Sequence, residues 1–277
     1  MDSSSLAHIA DDAWHVGDVR LASRFILGTA RYPSPRVLAD AITASGTQLV
    51  TVGLKRQLAA AGDNGFLDII RSAMQAQGAR LLPNTAGCRT AREAIELAHM
   101  ARELYGTPWL KLEVVGDEYT LQPDPIELVE AARQLARDGF VVFPYCTDDL
   151  VTCKRLLDAG CAALMPWGAP IGSGQGLINP FALRLLRERL HDAILVVDAG
   201  IGAPSDAARA LEMGYDAVLL NSAVSQSPDP VRMAGAFRRA IEAGRDAYRA
   251  GIMARQDFAV ATTPVTGDPL LLGDARC

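Results

Sequence analysis

Short runs of aliphatic and β-branched residues alternate with longer segments in which apolar residues recur every three or four positions. The short runs predict strands, and the longer segments predict the helices between them. The predicted strands span 24–29, 48–54, 79–85, 109–115, 140–146, 163–166, 193–199 and 217–222. The predicted helices lie near 35–45, 66–77, 91–104, 125–138, 148–159, 180–190, 204–213 and 229–249. This alternation indicates a parallel sheet covered by helices.

Residues at the ends of the predicted helices support these assignments. A capping side chain can accept a hydrogen bond from a free N–H of the first turn, and a proline after it loses no needed donor. This pairing occurs at Ser34-Pro35, Asp124-Pro125, Asn179-Pro180 and Asp229-Pro230. Glycine is a common helix stop. It follows six predicted helices, at Gly46, Gly78, Gly106, Gly139, Gly160 and Gly214.

Eight β/α repeats predict the α/β class and a single (β/α)8 TIM barrel. An open doubly wound sheet is the alternative, but it usually has a phosphate-binding loop after its first strand. The loop at 28–32 (GTARY) lacks the G-x-G-x-x-G spacing of such a loop. We place an N-terminal extension at residues 1–14, the barrel at 15–250 and a C-terminal tail at 251–277.

The amino-acid composition excludes several classes of protein. The 277 residues include 27 basic and 32 acidic side chains, giving a net charge of −5. An acidic chain without a basic run argues against a nucleic-acid partner. No apolar stretch is long enough to cross a bilayer, and the N-terminus lacks a secretory signal pattern. Five sparse cysteines fit reduced thiols. We therefore expect a cytoplasmic protein without a nucleic-acid or membrane partner.

The histidines and cysteines give no sign of a metal or redox site. No histidine stands at metal-site spacing from a cysteine or carboxylate, so we predict neither a metal nor another cofactor. Cys146 is followed by Asp148 and Asp149, whose charges are expected to raise the thiol pKa. Cys153 and Cys161 are predicted on a helix. We expect all five thiols to be structural or incidental.

The fourth predicted strand carries a lysine and a glutamate on one face. Side chains alternate along a strand, so Leu110, Leu112 and Val114 are expected to face the helices. Lys111 and Glu113 then point into the barrel. A structural ion pair is an open alternative. However, burying two charges is costly, and this cost favours a chemical use of the amine.

Later strand ends add a second acid and several glycine-rich loops. Asp198 is predicted to point inward at the seventh strand, with helix capping as the alternative role. Glycine-rich loops follow the sixth strand at 168–176 and the seventh at 199–202, and the eighth strand ends at 221–223. Backbone N–H groups at such loops bind phosphate in barrels of this class. They predict a phosphorylated ligand.

Together these residues predict that a lysine amine attacks a phosphorylated carbonyl compound while carboxylates move protons. Lys111 must be neutral to attack, and lowering its pKa from about 10.4 to about 7 requires roughly 4–5 kcal/mol. Burial favours the neutral amine, whereas ionised Glu113 and Asp198 oppose it. We therefore expect one carboxylate to hold or share a proton.

Longer motifs run through these strand ends. They occupy 83–88 (PNTAGC), 111–114 (KLEV), 140–149 (FVVFPYCTDD), 165–176 (MPWGAPIGSGQG), 197–207 (VDAGIGAPSDA), 221–223 (NSA) and 243–251 (AGRDAYRAG). Taken together they resemble the bacterial thiazole synthases of thiamine biosynthesis, from about residue 19 to residue 251. The resemblance implies a (β/α)8 barrel.

The resemblance also implies a reaction and its partners. The ketone of 1-deoxy-D-xylulose 5-phosphate forms an imine with the lysine that matches Lys111. The imine then tautomerises to place a ketone on the neighbouring carbon. Sulfur arrives as a thiocarboxylate on a small sulfur carrier protein, and dehydroglycine supplies the C–N unit. The product is a thiazole phosphate carboxylate, and the family forms homo-oligomers without a metal.

Individual site residues follow from the same comparison. Glu113 and Asp198 match the acid/base carboxylates of the family. Five residues match its substrate and phosphate contacts: Gly172, Ala199, Gly200, Asn221 and Ser222. The chain departs from the family pattern in the loops after the first and second strands, at 28–32 and 53–65. These loops are candidates for contact with the carrier or a neighbouring subunit.

Two other functions stay open on sequence grounds. A Schiff-base aldolase or isomerase on a sugar phosphate would use the same lysine without any carrier protein. A non-catalytic barrel would bind the phosphate or the carrier without forming an imine.

Overall fold

A computed structural model describes residues 12–55 and 64–260 of the chain. The strands in these ranges are β1 (Trp14–Val16), β2 (Val19–Leu21), β3 (Phe25–Gly28), β4 (Leu49–Gly53), β5 (Arg80–Asn84), β6 (Trp109–Leu112), β7 (Val141–Cys146), β8 (Met165–Pro166), β9 (Val196–Asp198) and β10 (Ala217–Leu220). The helices are α1 (Pro35–Ser45), α2 (Asn64–Ala76), α3 (Ala91–Tyr105), α4 (Pro125–Arg137), α5 (Leu150–Asp158), α6 (Pro180–Arg189), α7 (Pro204–Glu212), α8 (Ser222–Ser225) and α9 (Pro230–Ala250).

Strands β3 to β10 form one parallel sheet that closes on itself. The hydrogen-bonded order is β8-β7-β6-β5-β4-β3-β10-β9. Parallel bridges from Leu164 to Leu195 and from Trp167 to Asp198 join the two ends of this order. Eight parallel strands that alternate with helices confirm the predicted (β/α)8 barrel. All eight predicted strands are present, several of them shorter than predicted.

The helix ends behave as their sequences predict. Ser34 Oγ accepts a hydrogen bond from the N–H of Val37 at 3.2 Å, with Pro35 at the first helical position. The side chains of Asp124, Asn179 and Asp229 cap their helices in the same way. The glycines that follow α1 and α3 adopt the left-handed conformation of a helix stop.

An antiparallel hairpin of β1 and β2 closes the bottom of the barrel, and the sequence pattern did not predict it. Trp14, Val16 and Leu21 are buried there against the inner barrel layer, which includes Trp109 and Phe143. Each strand has three residues, too few for an alternating pattern to stand out. The described structure thus begins inside the segment assigned to the extension, whose residues 1–11 lie outside the described ranges.

The N-terminal segment is tied to the barrel by ion pairs. Asp12 Oδ1 lies 3.1 Å from Arg24 Nη2 and 2.9 Å from Arg245 Nη2. Burial acts to raise the pKa of Asp12, but the hydrogen bonds and charges of Arg245 and Arg24 together outweigh it and keep this pKa below its ordinary value. At the other terminus, residues 251–260 have no helix or strand and are exposed, and residues 261–277 are outside the description.

Apolar residues separate into an inner and an outer layer. Leu110, Leu112 and Val114 belong to the outer layer, between strands and helices, as predicted. Trp109 and Val196 belong to the inner layer, below the residues that end their strands. No helix within the described ranges combines the length and apolar character needed to cross a membrane.

Candidate functional site

Three charged side chains meet inside the barrel, near the carboxyl ends of its strands. Lys111 Nζ on β6 lies 3.2 Å from Glu113 Oε1 and 2.6 Å from Asp198 Oδ2. Asp198 ends β9 and reaches the lysine across the interior, because three positions separate β6 from β9 around the barrel. All three side chains are at least nine-tenths buried. The structure thus brings together the three residues that the sequence nominated for acid/base and imine chemistry.

Thr85 holds Glu113 in place. The hydroxyl of Thr85 accepts from the N–H of Glu113 and donates to its carbonyl oxygen, both at 2.8 Å. The side chain of Thr85 therefore replaces the hydrogen bonds that a longer β6 would make, and β6 ends at Leu112 instead of residue 115. Thr85 is fully buried and had no predicted role.

The cluster holds one positive and two negative groups in a dry environment. Burial by itself lowers the pKa of Lys111, but the charges of Asp198 and Glu113 outweigh it, and the net pKa lies above the ordinary value. Burial raises the pKa of Asp198 to about 6, from 3.8, and the charge of Lys111 only partly offsets this rise. Burial therefore does not make Lys111 neutral without a proton acceptor. Asp198, in direct contact with Nζ, is the carboxylate best placed to take the proton.

A cavity of about 520 Å³ opens beside this cluster. It lies over the ends of β3, β4, β5 and β10, with Lys111, Glu113 and Asp198 on its wall. The five residues predicted to contact substrate and phosphate all line it: Gly172, Ala199, Gly200, Asn221 and Ser222. Tyr145 on β7 does not line the cavity and is 1% exposed. A ligand can therefore reach the lysine from the cavity side.

Two glycine-rich loops interlock along the cavity. The N–H of Gly176 donates to the carbonyl of Gly200 at 2.8 Å, and the N–H of Gly168 donates to that of Ala199 at 3.2 Å. Ala199 and Gly200 have φ of 69° and 79°, so the chain turns sharply after Asp198. At this turn the N–H of Ala199 hydrogen-bonds to the carboxylate of Asp198, and glycine-rich loops of this kind can bind an anion through other backbone N–H groups.

We predict that Gly200→Ala destabilises the fold by at least about 2 kcal/mol, as measured by chemical denaturation. A β-carbon there would overlap the backbone and side chain of Ala169, in addition to straining φ. Gly172→Ala is the matched control, because φ is 75° and the nearest atom to its β-carbon is Ser222 Oγ at 3.9 Å. The control variant should lose only the stability that backbone strain costs. Equal losses of stability in both variants would contradict the overlap argument.

Cys88, Cys146, Cys153 and Cys161 are buried free thiols, and Cys277 lies outside the described residues. Two predictions about the thiols need correction. The pKa of Cys146 is raised, as predicted, but by the contact with Cys153 and by burial, and not by Asp148 or Asp149. The Sγ atoms of Cys146 and Cys153 are 3.9 Å apart. The helix prediction is wrong for Cys161, because α5 ends at Asp158. The left-handed Gly160 (φ 96°) follows that helix and returns the chain to the barrel.

Asp148 is engaged elsewhere and joins two loops. Its carboxylate accepts from Trp167 Nε1 at 3.0 Å and from Asn179 Nδ2 at 2.7 Å. It thus ties the loop after β7 to both ends of the glycine-rich segment after β8. Asp149 caps α5 by accepting from the N–H of Thr152.

Other polar groups at the site had no predicted role. Thr51 and Asn84 line the cavity, and Tyr145 places its ring 5.6 Å from Lys111 Nζ. The Tyr145 hydroxyl is buried without a partner, and burial raises its pKa. The position of Asn84 and Tyr145 at or near strand ends was the one sequence signal that could have identified them as site residues.

Within the described ranges, no three His, Cys, Asp or Glu side chains are grouped to hold a metal ion.

Comparisons with known proteins agree with this geometry. Residues 15–264 match the family model described as "Thiazole biosynthesis protein ThiG". The chain is 55% identical over 259 residues to a thiazole synthase of Coxiella burnetii, covering 94% of this chain and 98% of that one. It is 59% identical over 252 residues to a thiazole synthase of Nitrobacter winogradskyi, covering 91% and 96% of the two chains.

A solved structure is similar as well. It is the crystal structure of an Amycolatopsis orientalis BexX/CysO complex, with 32% identity and a TM-score of 0.78. The match covers 87% of this chain and 97% of that one.

Proposed function

Since this chain belongs to the thiazole synthase family of thiazole biosynthesis proteins, we propose that Lys111 forms an imine with 1-deoxy-D-xylulose 5-phosphate. The observation that carries the proposal is the contact of Lys111 Nζ with Asp198 Oδ2 at 2.6 Å on the wall of a cavity. An amine in contact with a carboxylate of raised pKa can pass it a proton and become nucleophilic. The sugar phosphate fits a cavity that has this pair on one wall and glycine-rich loops on another.

The first step is imine formation. Lys111 passes a proton to Asp198, and neutral Nζ then attacks the carbonyl carbon while the electron pair of C=O moves to oxygen. The oxygen leaves as water with one proton from Asp198 and one from Nζ. The product is a protonated imine beside the carboxylates of Glu113 and Asp198, whose negative charges stabilise it.

The second step moves the carbonyl to the neighbouring carbon. Glu113 Oε1, at 3.2 Å from Nζ, is placed to remove the proton from the carbon next to the imine. Return of a proton to the former imine carbon, with loss of the adjacent hydroxyl proton, leaves an amine on the first carbon and a ketone on the second. Asp198 is the second proton carrier for this exchange. Thr85 fixes the backbone of the residue that acts as base.

The phosphate is proposed to lie against the interlocked glycine loops. Gly172, Ala199, Gly200, Asn221 and Ser222 line the same cavity as the lysine. The end of the barrel near its seventh and eighth strands is where phosphate is commonly held in this fold. The carbonyl end of the substrate then faces β6.

The sulfur donor is proposed to be a thiocarboxylate on a small carrier protein, with dehydroglycine as the source of the C–N unit. The relative BexX was solved in a complex with CysO, which supports a protein partner for this chain. The thiocarboxylate sulfur would attack the new ketone, and condensation with dehydroglycine would close the ring. We further propose that the chain acts as a homo-oligomer.

Reductive trapping tests the proposal. Protein incubated with the sugar phosphate and borohydride should gain the mass of the whole sugar phosphate, less its carbonyl oxygen, on the peptide that contains Lys111. Thiazole phosphate carboxylate should then form only with thiocarboxylated carrier and dehydroglycine present. An aldolase would instead release a carbon fragment without the carrier. Binding without any adduct would indicate the non-catalytic barrel and overturn the proposal.

A further inference from the structure

The strand beside Lys111 places an amide at the cavity. Asn84 ends β5, and its backbone pairs in register with that of Lys111 on β6. The N–H of Thr85, one residue later, donates to the carbonyl of Lys111 at 3.2 Å. Asn84 also lines the cavity, on the opposite side of β6 from Tyr145. It is therefore the strand-borne amide next to the lysine on the side from which a ligand arrives.

The orientation of this amide is fixed by its hydrogen bonds. The N–H of Ala86 can only donate, and it donates to Asn84 Oδ1 at 3.2 Å. The other end of the amide must then be Nδ2, which donates to Thr51 Oγ1 at 3.0 Å. Thr51 is 5% exposed and stands on β4, the next strand in the barrel. A flipped amide would place Nδ2 against the N–H of Ala86, two donors facing each other, so the Ala86 contact fixes the orientation.

Two donors remain after these bonds are counted. Asn84 Nδ2 has a second N–H, and the Thr51 hydroxyl, having accepted from Nδ2, keeps its own hydrogen. Neither hydrogen has a protein acceptor among the described residues. Placing unsatisfied donors at a cavity wall is costly unless a ligand or water completes them. Both residues thus offer hydrogen-bond donors beside the lysine.

The proposed imine step needs such a donor. As Nζ attacks, negative charge grows on the carbonyl oxygen of the substrate. Glu113 is an acceptor and repels this charge, whereas Asp198 holds the proton of the lysine at this stage and supplies one donor that it then gives up to the oxygen. A fixed neutral donor on the other side stabilises the charge without adding another proton to the cluster.

We propose that Asn84 donates a hydrogen bond from Nδ2 to the carbonyl oxygen of the ketose phosphate and to the hydroxyl that this oxygen becomes. Asn84 is then a catalytic residue, and Thr51 is the residue that positions it. The inference rests on the proposed imine function. The N–H proton stays on Asn84 throughout, while the oxygen takes its protons from Asp198 and Nζ.

The test compares the rate of imine trapping on Lys111 across variants, over a range of 1-deoxy-D-xylulose 5-phosphate concentrations. Asn84→Asp keeps the shape and replaces the donor by an acceptor, and Asn84→Ala removes the group without adding a charge. Both are expected to lower the maximal trapping rate by about 10²-fold or more. The half-saturating concentration should change by less than about 3-fold, because the phosphate contacts are untouched.

The controls separate chemistry from folding. Thr51→Val should give a smaller loss of rate with the same concentration dependence. Gln122→Glu makes the same amide-to-carboxylate exchange on an exposed loop and should trap like the parent protein. Thermal unfolding of each variant identifies any that fail to fold. If Asn84→Asp does not fold, the uncharged Asn84→Ala provides the test.

The outcomes are distinguishable. If the parent protein forms no adduct, the imine function itself fails, and this inference fails with it. If the parent forms the adduct and folded Asn84→Ala traps it at the parent rate, only the role of Asn84 is overturned. A loss confined to the half-saturating concentration would assign Asn84 to substrate binding instead and would also overturn the proposal.

Discussion

Lys111→Arg is expected to abolish the trapped adduct, with at least about a thousandfold loss of rate. Arginine keeps the positive charge between Glu113 and Asp198, but its guanidinium stays protonated under working conditions and cannot attack a carbonyl. The measurement is intact-protein mass spectrometry after borohydride treatment with the sugar phosphate. Charge at this position is therefore not sufficient, and a transferable proton is required.

Arginine is a better probe than alanine at this position for a physical reason. Lys111→Ala would leave two buried carboxylates facing each other without a counter-charge, which is strongly destabilising. The matched control is Lys154→Arg, on the exposed face of α5. It should form the adduct normally. A persistent adduct in Lys111→Arg, carried by another lysine, would defeat the assignment.

Asp198→Asn is expected to lower the trapping rate at neutral pH by about 10²- to 10⁴-fold. The variant keeps the shape of the side chain and removes the group that accepts the lysine proton. It also leaves a neutral Lys111–Glu113 pair in place of a cluster with excess negative charge, so folding should not suffer. Asp158→Asn, on an exposed position at the end of α5, is the control.

The pH profile provides a second measurement for the same variant. In the parent protein the rate should rise as pH increases through about 6, where the buried Asp198 loses its own proton and can accept one from Lys111. Below that pH both groups are protonated and the amine is blocked. In Asp198→Asn this rise should disappear, and the rate should climb only at more alkaline pH. An unchanged profile would exclude Asp198 as the proton acceptor.

Much of the site could be predicted because barrel geometry turns strand position into spatial position. Alternation along one strand placed Lys111 and Glu113 inside, and the barrel then required Asp198 to meet them at the same end. The five loop residues of the cavity were also anticipated, from the family resemblance. Their roles in binding remain predictions, because no ligand contact tests them.

What the sequence could not provide were the interactions that depend on exact distances. Asn84 ends β5 and Thr85 follows it, but their side-chain partners lie just after β6, on β4 and in a following turn. No pattern within one segment indicates such pairings. The β1–β2 hairpin was missed because its strands are too short. The net effect on the pKa of Lys111 required knowing that two carboxylates lie within 3.2 Å.

The interlocked loops after β8 and β9 have a thermodynamic consequence. Gly202 packs its backbone against Gly174, while Asp206 accepts from the N–H groups of Gly202 and Ala203 at 3.1 and 2.8 Å. The two loops therefore constrain each other before any anion arrives. A preorganised receptor loses little conformational entropy when it is occupied, so more of the intrinsic attraction for the anion is retained as affinity.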